Sequence, residues 1–242
     1  PTVCAIAWMV ETALSTYSEY HYLGLKNYKL FKGIIFDGKQ AEDYLVDLNL
    51  LSDTAELLEV EVKISSETEG KTTFHYSAVL MLVKDRESVP LYSGELPVLT
   101  AQQHNLYEDG TLFHGESLQG ITAINHCDEN GLMLSCIINN SVKQKQGEFD
   151  VTNNNIFAND LVYQALLVWV RKQLGLGSLP TATAQWTVYQ EVPVGKPFYL
   201  KLELTANKRN KKVIADIQMI NQDKQILASI IGAQVTASES LN

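Results

Sequence analysis

Cysteine is scarce in this sequence, and its few cysteines follow no disulfide or metal-binding pattern. The 242 residues include three cysteines, Cys4, Cys127 and Cys136, and no two of them form a CxxC pair. Disulfide-stabilised small domains contain more cysteines in even number, and structural zinc sites usually contain closely spaced CxxC pairs. The sequence therefore predicts neither a disulfide framework nor a zinc site, and the reducing cytoplasm is the expected location.

The sequence also lacks long apolar runs. No stretch approaches the roughly 20 apolar residues that a membrane-spanning helix needs. The apolar stretch that begins at Val3 has no basic segment before it and no small-residue cleavage site after it, so no secretory signal is predicted. Neither a membrane span nor a secreted protein is expected.

Basic residues are too few for a nucleic-acid-binding protein. The formal net charge is −9, whereas phosphate contacts need clustered Lys and Arg. The one dense basic cluster lies between two strand-like segments. It is interpreted as a solvated hairpin tip, or alternatively as a docking patch for an acidic partner. Its members are Lys208, Arg209, Lys211 and Lys212.

The composition that remains is typical of a globular protein with a sizeable core, at 45% hydrophobic and 19% charged residues. Two segments repeat apolar residues at the helical period. The first predicted helix follows Pro1 and reaches Tyr17, and the second runs from Phe157 to Trp169 before glycines at 175 and 177 end it. Both are apolar around more than half their circumference, so other structure is expected to surround each of them.

The rest of the chain alternates polar and apolar residues as strands do. The order is helix, strands, a polar connection, strand, helix, strands, which indicates an arrangement used twice. The predicted fold class is α+β, a double hot-dog in which two antiparallel sheets each wrap a central apolar helix. The connection from Arg86 to Gly110 divides the chain into halves 1–97 and 98–242. The predicted strands are 58–64, 74–83, 132–138, 200–204, 213–219 and 226–235.

Asp160 and Gln164 form the first pattern with chemical potential. They are four residues apart on the second helix and share one face. A carboxyl in an apolar environment has a raised pKa and can act as a general acid, with the glutamine orienting it. The alternative is that Asp160 only favours the positive end of the helix dipole.

The second pattern is the run from Leu106 to Ile121, which contains a Glu-Asp-Gly turn followed by Phe113, His114 and Gly115. His114 is interpreted either as a site residue or as a structural histidine with its hydrogen bonds satisfied. The glycines are expected to permit a turn or a close backbone approach.

Together these segments resemble the dehydratase domains of polyketide synthases. The run 106–121 is similar to the start of that family's second hot-dog half, and Asp160 to Gln164 resembles its DxxxQ/H motif. Pro1 resembles the last residue of the HxxxGxxxxP motif, and His75 begins a loosely HxxG-like strand. The most similar branch is the dehydratase-like domain at the C-terminal end of the large subunit of bacterial polyunsaturated fatty acid synthases.

The resemblance implies removal of water from a 3-hydroxyacyl group on an acyl carrier protein, giving a trans-2-enoyl thioester. A histidine of the first half takes the α-proton, Asp160 protonates the departing hydroxyl, and Gln164 supports it. Phe113, His114 and Gly115 are implied to bind substrate. Backbone N–H groups at a helix N-terminus would polarise the thioester carbonyl, and no metal or diffusible cofactor is required.

The sequence departs from the family's pattern at three places. The histidine of HxxxGxxxxP would precede Pro1, so the chain as given is expected not to catalyse dehydration by itself. His114-Gly115-Glu116 stands where many members have Tyr-Gly-Pro, and Leu118 stands where phenylalanine is usual.

Two other hypotheses stay open: a non-catalytic double hot-dog that binds the carrier or acyl chain or supports neighbouring domains, and a hot-dog thioesterase or product-template-like cyclase. The expected partners are an acyl carrier protein with its phosphopantetheine-linked chain and the other domains of the same synthase. Carrier proteins are typically acidic, so docking would need a basic patch. Arg171 with Lys172, or the 208–212 cluster, are the candidates. Monomer and homodimer are both compatible with the sequence.

Overall fold

A computed structural model describes residues 2–35, 43–86, 88–98, 106–139, 154–208 and 211–242. These residues form two α-helices, ten β-strands and two short 3₁₀ turns. The helices are α1 (Thr2–Thr16) and α2 (Ile156–Leu174), and the 3₁₀ turns are Glu116–Leu118 and Glu239–Leu241. The strands are β1 (His21–Leu30), β2 (Leu45–Asp53), β3 (Leu58–Thr68), β4 (Lys71–Val83), β5 (Ile121–Cys127), β6 (Gly131–Ile137), β7 (Gly177–Val188), β8 (Pro197–Lys208), β9 (Lys212–Asn221) and β10 (Ile226–Ser238).

The strands form one continuous antiparallel sheet in the order β2-β3-β4-β1-β7-β10-β9-β8-β6-β5. The sequence predicted two antiparallel sheets, each around one helix, whereas the structure has a single antiparallel sheet that contacts both helices. The four strands of the first half and the six of the second meet where β1 pairs with β7, from Gly24 opposite Thr187 to Lys29 opposite Ala182. Without this pairing, β1 and β7 would each be an edge strand with unpaired backbone N–H and C=O groups. Because they pair with each other, the two halves share one hydrogen-bonded sheet.

Sheet alternation and helix packing explain why these sequences adopt these elements. In β3, Leu58, Val60, Val62 and Ile64 are buried while the residues between them are half-exposed. Successive side chains of a strand point to opposite faces, so this alternation gives the sheet one apolar face. That face is covered by α1, which contacts β1, β2 and β3.

Helix α2 is more deeply enclosed than α1. Its first 15 residues, Ile156 to Val170, are all buried, and it contacts β5 to β9. Asn155 begins the helix by accepting hydrogen bonds from the N–H groups of Phe157 and Ala158, each at 3.1 Å. Gly175 ends it with a left-handed φ of 66°. The helices contact each other, and one apolar core contains residues of both halves.

Both predicted helices and all six predicted strands are present, with ends that differ by a few residues. Four strands were not predicted: β1, β2, β5 and β7. Of the predicted junction, residues 87 and 99–105 lie outside the described residues. Leu91 bridges to Gln225, and Leu96 packs against a small apolar cluster of the second half that consists of Met133, Tyr199 and Ile220. The division at residue 97 stays a prediction.

The basic cluster lies where the sequence suggested, between the paired strands β8 and β9. Arg209 belongs to it but lies outside the described residues. None of the helices in the described residues is both long enough and apolar enough to cross a membrane. The three cysteines are free thiols.

Candidate active site

Asp160 lies in the second turn of α2, as the fifth residue of a helix that starts at Ile156. Its side chain is only 10% exposed. The first turn of α2 holds no acidic residue, so the explanation of Asp160 by the helix dipole, which acts within the first turn, does not fit. A buried carboxyl at this position needs polar partners, and the structure provides them.

Gln164 is the main hydrogen-bond partner of Asp160. Its Nε2 donates to Asp160 Oδ2 at 2.8 Å and to the backbone oxygen of Leu118, also at 2.8 Å. Its Oε1 accepts the hydroxyl hydrogen of Tyr107 at 2.8 Å. Both amide hydrogens and the amide oxygen are therefore used, which fixes the orientation of the amide and, through it, of the carboxyl.

Tyr107 is a site residue that the sequence analysis did not identify, although it lies within the motif run. Its hydroxyl oxygen accepts the N–H groups of Gly120 and Ile121 at 3.0 and 3.1 Å, while its hydrogen goes to Gln164. Burial raises the pKa of Tyr107 to about 12, so the hydroxyl keeps its proton and remains a donor. Tyr107 thus ties the start of β5 to the pair on α2.

His114 is the histidine that contacts the carboxyl. Its Nε2 lies 3.5 Å from Asp160 Oδ2, and its ring stacks on Phe113 with 4.5 Å between ring centroids. Its Nδ1 is buried and has no hydrogen-bond partner among the described residues. The interpretation of His114 as a fully satisfied structural histidine therefore does not fit this geometry.

Burial moves the pKa values of this pair in opposite directions. Burial raises the pKa of Asp160, against the hydrogen bond from Gln164 and the charge of His114, which both lower it. Burial also lowers the pKa of His114, and the positive charge of Arg171 lowers it further, while Asp160 opposes both. The direction that burial imposes on both groups favours a protonated carboxyl beside a neutral imidazole.

The sequence suggested that the glycines of this run permit a turn or a close backbone approach, and Gly115 does neither. Its φ of −66° is open to any residue, and a Cβ built on it meets no heavy atom within 4 Å. Neither a left-handed turn nor a close backbone approach explains the glycine, so it leaves open space next to His114. Phe113 is 70% exposed. The exposed Phe113 ring and the open space at Gly115 therefore flank His114, which itself contacts the carboxyl.

Gly120, by contrast, is required by packing. A Cβ there would lie 2.9 Å from a methyl carbon of Leu161 and 3.0 Å from the backbone oxygen of Ile137. The absence of a side chain lets the strand that carries the Tyr107 contacts approach α2 closely.

Arg171, which the sequence suggested as a docking residue, instead makes hydrogen bonds within the domain. Its Nη1 donates to the backbone oxygens of Gly110 and Thr111, the latter at 2.9 Å. It therefore holds the turn that leads into Phe113 and His114, while Lys172 is exposed. In the described part of the chain, no group of three or more His, Cys, Asp or Glu side chains is arranged to hold a metal ion.

The backbone N–H groups expected to polarise a thioester are not identified at α2. Two N–H groups of its first turn are already bonded to the side chain of Asn155. Asn159 donates to Asn154 at 2.7 Å, which makes the helix start a buried polar cluster.

Comparison with solved structures shows the same fold in dehydratase domains. The dehydratase domain from the CurF module of curacin polyketide synthase superposes with a TM-score of 0.73 and 11% identity, covering 99% of this chain and 84% of that domain. A trans-AT polyketide synthase dehydratase domain from Brevibacillus brevis gives a TM-score of 0.72 and 17% identity, over 99% of this chain and 85% of that one. At such identities the likeness shows the fold alone.

Sequence comparison gives a closer relationship. The chain is 29% identical over 248 aligned positions to one of the subunits of the polyunsaturated fatty acid synthase from Thraustochytrium sp.. The alignment covers 100% of this chain but 9% of that protein, so the chain corresponds to a small part of it. The sequence model of the polyketide synthase dehydratase N-terminal domain matches residues 84–242. This match covers more than half of the chain, including the Tyr107, His114 and Asp160 network, and the chain therefore belongs to the polyketide synthase dehydratase family.

Proposed function

We propose that this domain dehydrates 3-hydroxyacyl groups carried on an acyl carrier protein, within a polyunsaturated fatty acid or polyketide synthase, and that Asp160 is its general acid. The observation that carries the proposal is the buried Asp160 carboxyl, which accepts a hydrogen bond from Gln164 and adjoins His114; burial raises the pKa of this carboxyl. A carboxyl with a raised pKa holds its proton to a higher pH than a free one and is better suited to donate it to a leaving hydroxyl.

In this reaction one C–H bond and one C–O bond break and a C=C bond forms. A base removes the proton from the α-carbon, and the electron pair forms the double bond as the hydroxyl leaves from the β-carbon. Asp160 donates its proton to that hydroxyl, which departs as water. Gln164 keeps the carboxyl oriented and stabilises the carboxylate that results, since its Nε2 already donates to Oδ2.

The base follows from the family resemblance, which assigns it to a histidine nine residues ahead of Pro1. The 242-residue chain is accordingly proposed to lack dehydration activity by itself. We assign His114 to substrate binding rather than to removal of the α-proton, because its Nε2 adjoins the Asp160 carboxyl and burial lowers the pKa of its ring, which makes it a weaker base.

Substrate access is proposed along Phe113, His114 and Gly115. The exposed ring of Phe113 stacks on His114, and the space beside Gly115 is open. A β-hydroxyacyl chain that enters there would bring its hydroxyl next to His114 and Asp160. The carrier protein would dock from the same side, and the exposed Lys172 is the candidate for its acidic surface, because Arg171 is already bonded to backbone oxygens.

The test measures the loss of one water from a 3-hydroxyacyl carrier protein by mass spectrometry. Two proteins are compared: the 242-residue chain, and a longer protein that also includes the residues encoded upstream of Pro1. Each is assayed beside its Asp160→Asn variant and beside Asp223→Asn, which changes an exposed aspartate in the β9–β10 turn. We expect water loss from the longer version and from its Asp223→Asn variant, and none from Asp160→Asn.

Other outcomes separate the alternatives. A folded longer version that binds the carrier but releases no water would support the non-catalytic hypothesis. Release of free acid instead of the enoyl product would support a thioesterase. Full turnover by the 242-residue chain would refute the assignment of the base to residues ahead of Pro1.

A further inference from the structure

A second cavity, of about 430 Å³, lies in the first half of the domain, apart from the residues of the Asp160 network. It opens between the end of β1, the residues that precede β2, and the β3–β4 hairpin. Its lining is mainly polar, and it includes one serine and one histidine. Lys32, Tyr44, Ser66 and His75 are among the residues that line it.

His75 reaches this cavity because β4 contains a β-bulge. Tyr76 pairs with Ile64 of β3 and Phe74 pairs with Ser65, so His75 is the extra residue between the two pairs. A bulge re-aims the side chain of the extra residue. As a result, His75 and Tyr76 are both buried, at 4% and 5% exposure, although they are neighbours in a strand.

The ring of His75 is held on both of its nitrogens. Nδ1 lies 3.0 Å from the backbone oxygen of Lys32, and Nε2 lies 2.8 Å from Ser66 Oγ. Tyr44 packs edge-on against the ring, with 5.3 Å between centroids. The backbone N–H of Lys32 also bonds to the His75 oxygen at 3.4 Å, which fixes the segment that supplies the carbonyl.

These contacts determine which nitrogen carries the hydrogen in the neutral ring. A carbonyl oxygen can only accept, so Nδ1 must be the N–H that donates to Lys32. Nε2 then has a free lone pair, and the hydrogen bond to it must come from the Ser66 hydroxyl. A serine hydroxyl that donates to an imidazole nitrogen, while a third group orients that imidazole, has the arrangement of an activated nucleophile.

We propose that Ser66 is a nucleophilic serine activated by His75, and that the cavity accepts activated acyl groups such as acyl thioesters. Ser66 is half-buried at the cavity wall, so its Oγ can be reached from the cavity. Lys32 lines the same cavity, as do the carboxylates of Asp43 and Glu67, and in the proposal its ammonium group would stabilise the oxyanion that forms when Oγ attacks a carbonyl.

Transfer of the acyl group from a thioester to Ser66 requires only Ser66, His75 and the substrate. Ser66 Oγ forms a bond to the acyl carbon, and its proton passes to His75 Nε2. The bond from the acyl carbon to sulfur breaks, and the thiolate leaves as a thiol after it takes the proton from His75. The products are an acyl ester on Ser66 and a free thiol, and water that is activated by the same histidine can release the acid.

The experiment treats the 242-residue chain with an alkyl fluorophosphonate and locates the adduct by tandem mass spectrometry. The Oγ–P bond forms as the P–F bond breaks, so the label reports the nucleophile directly. We expect the label on Ser66, no label in Ser66→Ala, and a rate about 100-fold lower in His75→Gln, the size of a typical general-base contribution. The control variant is Ser77→Ala, which changes a half-buried serine of β4 and is expected to be labelled as the parent is.

Hydrolysis of p-nitrophenyl butyrate by the same proteins gives the second readout, with a burst of nitrophenol expected if the acyl-serine forms faster than it is released. Labelling of the unmodified chain needs no variant to fold, so a folded chain without a label on Ser66 overturns the proposal. Equal labelling of Ser66 in His75→Gln and in the parent would also overturn it. The assay needs neither a carrier protein nor Asp160, so its result is independent of the dehydration test.

Discussion

The hydroxyl of Tyr107 both donates and accepts hydrogen bonds. Through these contacts, Tyr107 acts as a positioning residue for Asp160. It donates to Gln164 and accepts two backbone N–H groups, and Gln164 in turn donates to Asp160. Tyr107 does not touch the carboxyl in this chain of contacts. Its effect on the reaction would pass through the orientation of the amide.

Removing that hydroxyl in Tyr107→Phe leaves the oxygen of Gln164 and the N–H groups of Gly120 and Ile121 without their partner. Unsatisfied buried groups cost about 1–3 kcal/mol, so urea unfolding should show a loss of that order. In the dehydration assay, kcat is expected to fall about ten- to a hundredfold with little change in KM, because the acid is misplaced while substrate contacts persist. The half-exposed Tyr189→Phe serves as control. An unchanged kcat would contradict the positioning role even if stability fell.

Asp160 also makes stability depend on pH, and the sign follows from its raised pKa. The unfolded carboxyl releases its proton above about pH 3.9, whereas the folded one retains it until the raised pKa is passed. Between those values the folded state holds more protons, so the free energy of unfolding falls as pH rises. An asparagine side chain does not ionise, and Asp160→Asn is therefore expected to be more stable than the parent at neutral pH.

The difference in the free energy of unfolding between Asp160→Asn and the parent should become smaller as the pH falls towards the pKa of the unfolded carboxyl. Urea unfolding of both proteins at about pH 4.5 and about pH 8 measures this. A variant less stable than the parent at the higher pH would show that the carboxyl is ionised and well paired in the folded protein.

Among the secondary-structure elements, α2 carries the site, and its start is fixed by Asn155. The side chain of Asn155 caps the N–H groups of Phe157 and Ala158, one turn before Asp160. Asn155→Ala removes the cap and should cost about 0.5–2 kcal/mol, which lowers Tm by a few degrees. Asn155→Ser retains a capping oxygen and should recover most of the loss. Calorimetry of the three proteins tests this, and equal Tm values for the alanine and serine variants would argue against the cap.

How well the sequence predicts an element depends on whether local periodicity or a long-range contact stabilises it. Helix α2 and strand β3 are readable because local periodicity and burial coincide in them. Strand β1 contains Gly24 and a positive φ of 55° at Asn27, and β7 contains Pro180, so neither shows clean alternation. Their stability comes from pairing with each other, which is a long-range contact that no local pattern encodes.

The site shows the same division. Asp160 and Gln164 are predictable because one helix turn brings them together. Tyr107 lies 57 residues from Gln164 in the sequence, and no spacing rule connects them. The Ser66 and His75 contact depends on a β-bulge, which shifts a side chain to the other face of the strand.

At the scale of the whole molecule, the β1–β7 pairing joins the two halves into one sheet with one main core. Helix α1 of the first half also packs on α2 of the second. Halves that share a core and a sheet are expected to unfold together. Trp8 reports on α1 and Trp169 on α2, so fluorescence of variants with one tryptophan retained should give the same midpoint as far-UV circular dichroism.

Gly24 is the most sensitive position in that junction. A Cβ at this residue would lie 1.9 Å from the backbone oxygen of Trp186 on β7, and its φ is 155°. Gly24→Ala must therefore push β1 and β7 apart, at a cost at or above the upper end of the ~1–3 kcal/mol typical of overpacking. Gly33→Ala is the matched control, because a Cβ there meets no heavy atom within 4 Å. If the halves depend on this pairing, Gly24→Ala will lower the midpoints of both tryptophan probes together. A loss at Trp8 alone would mean that the second half folds independently of the first.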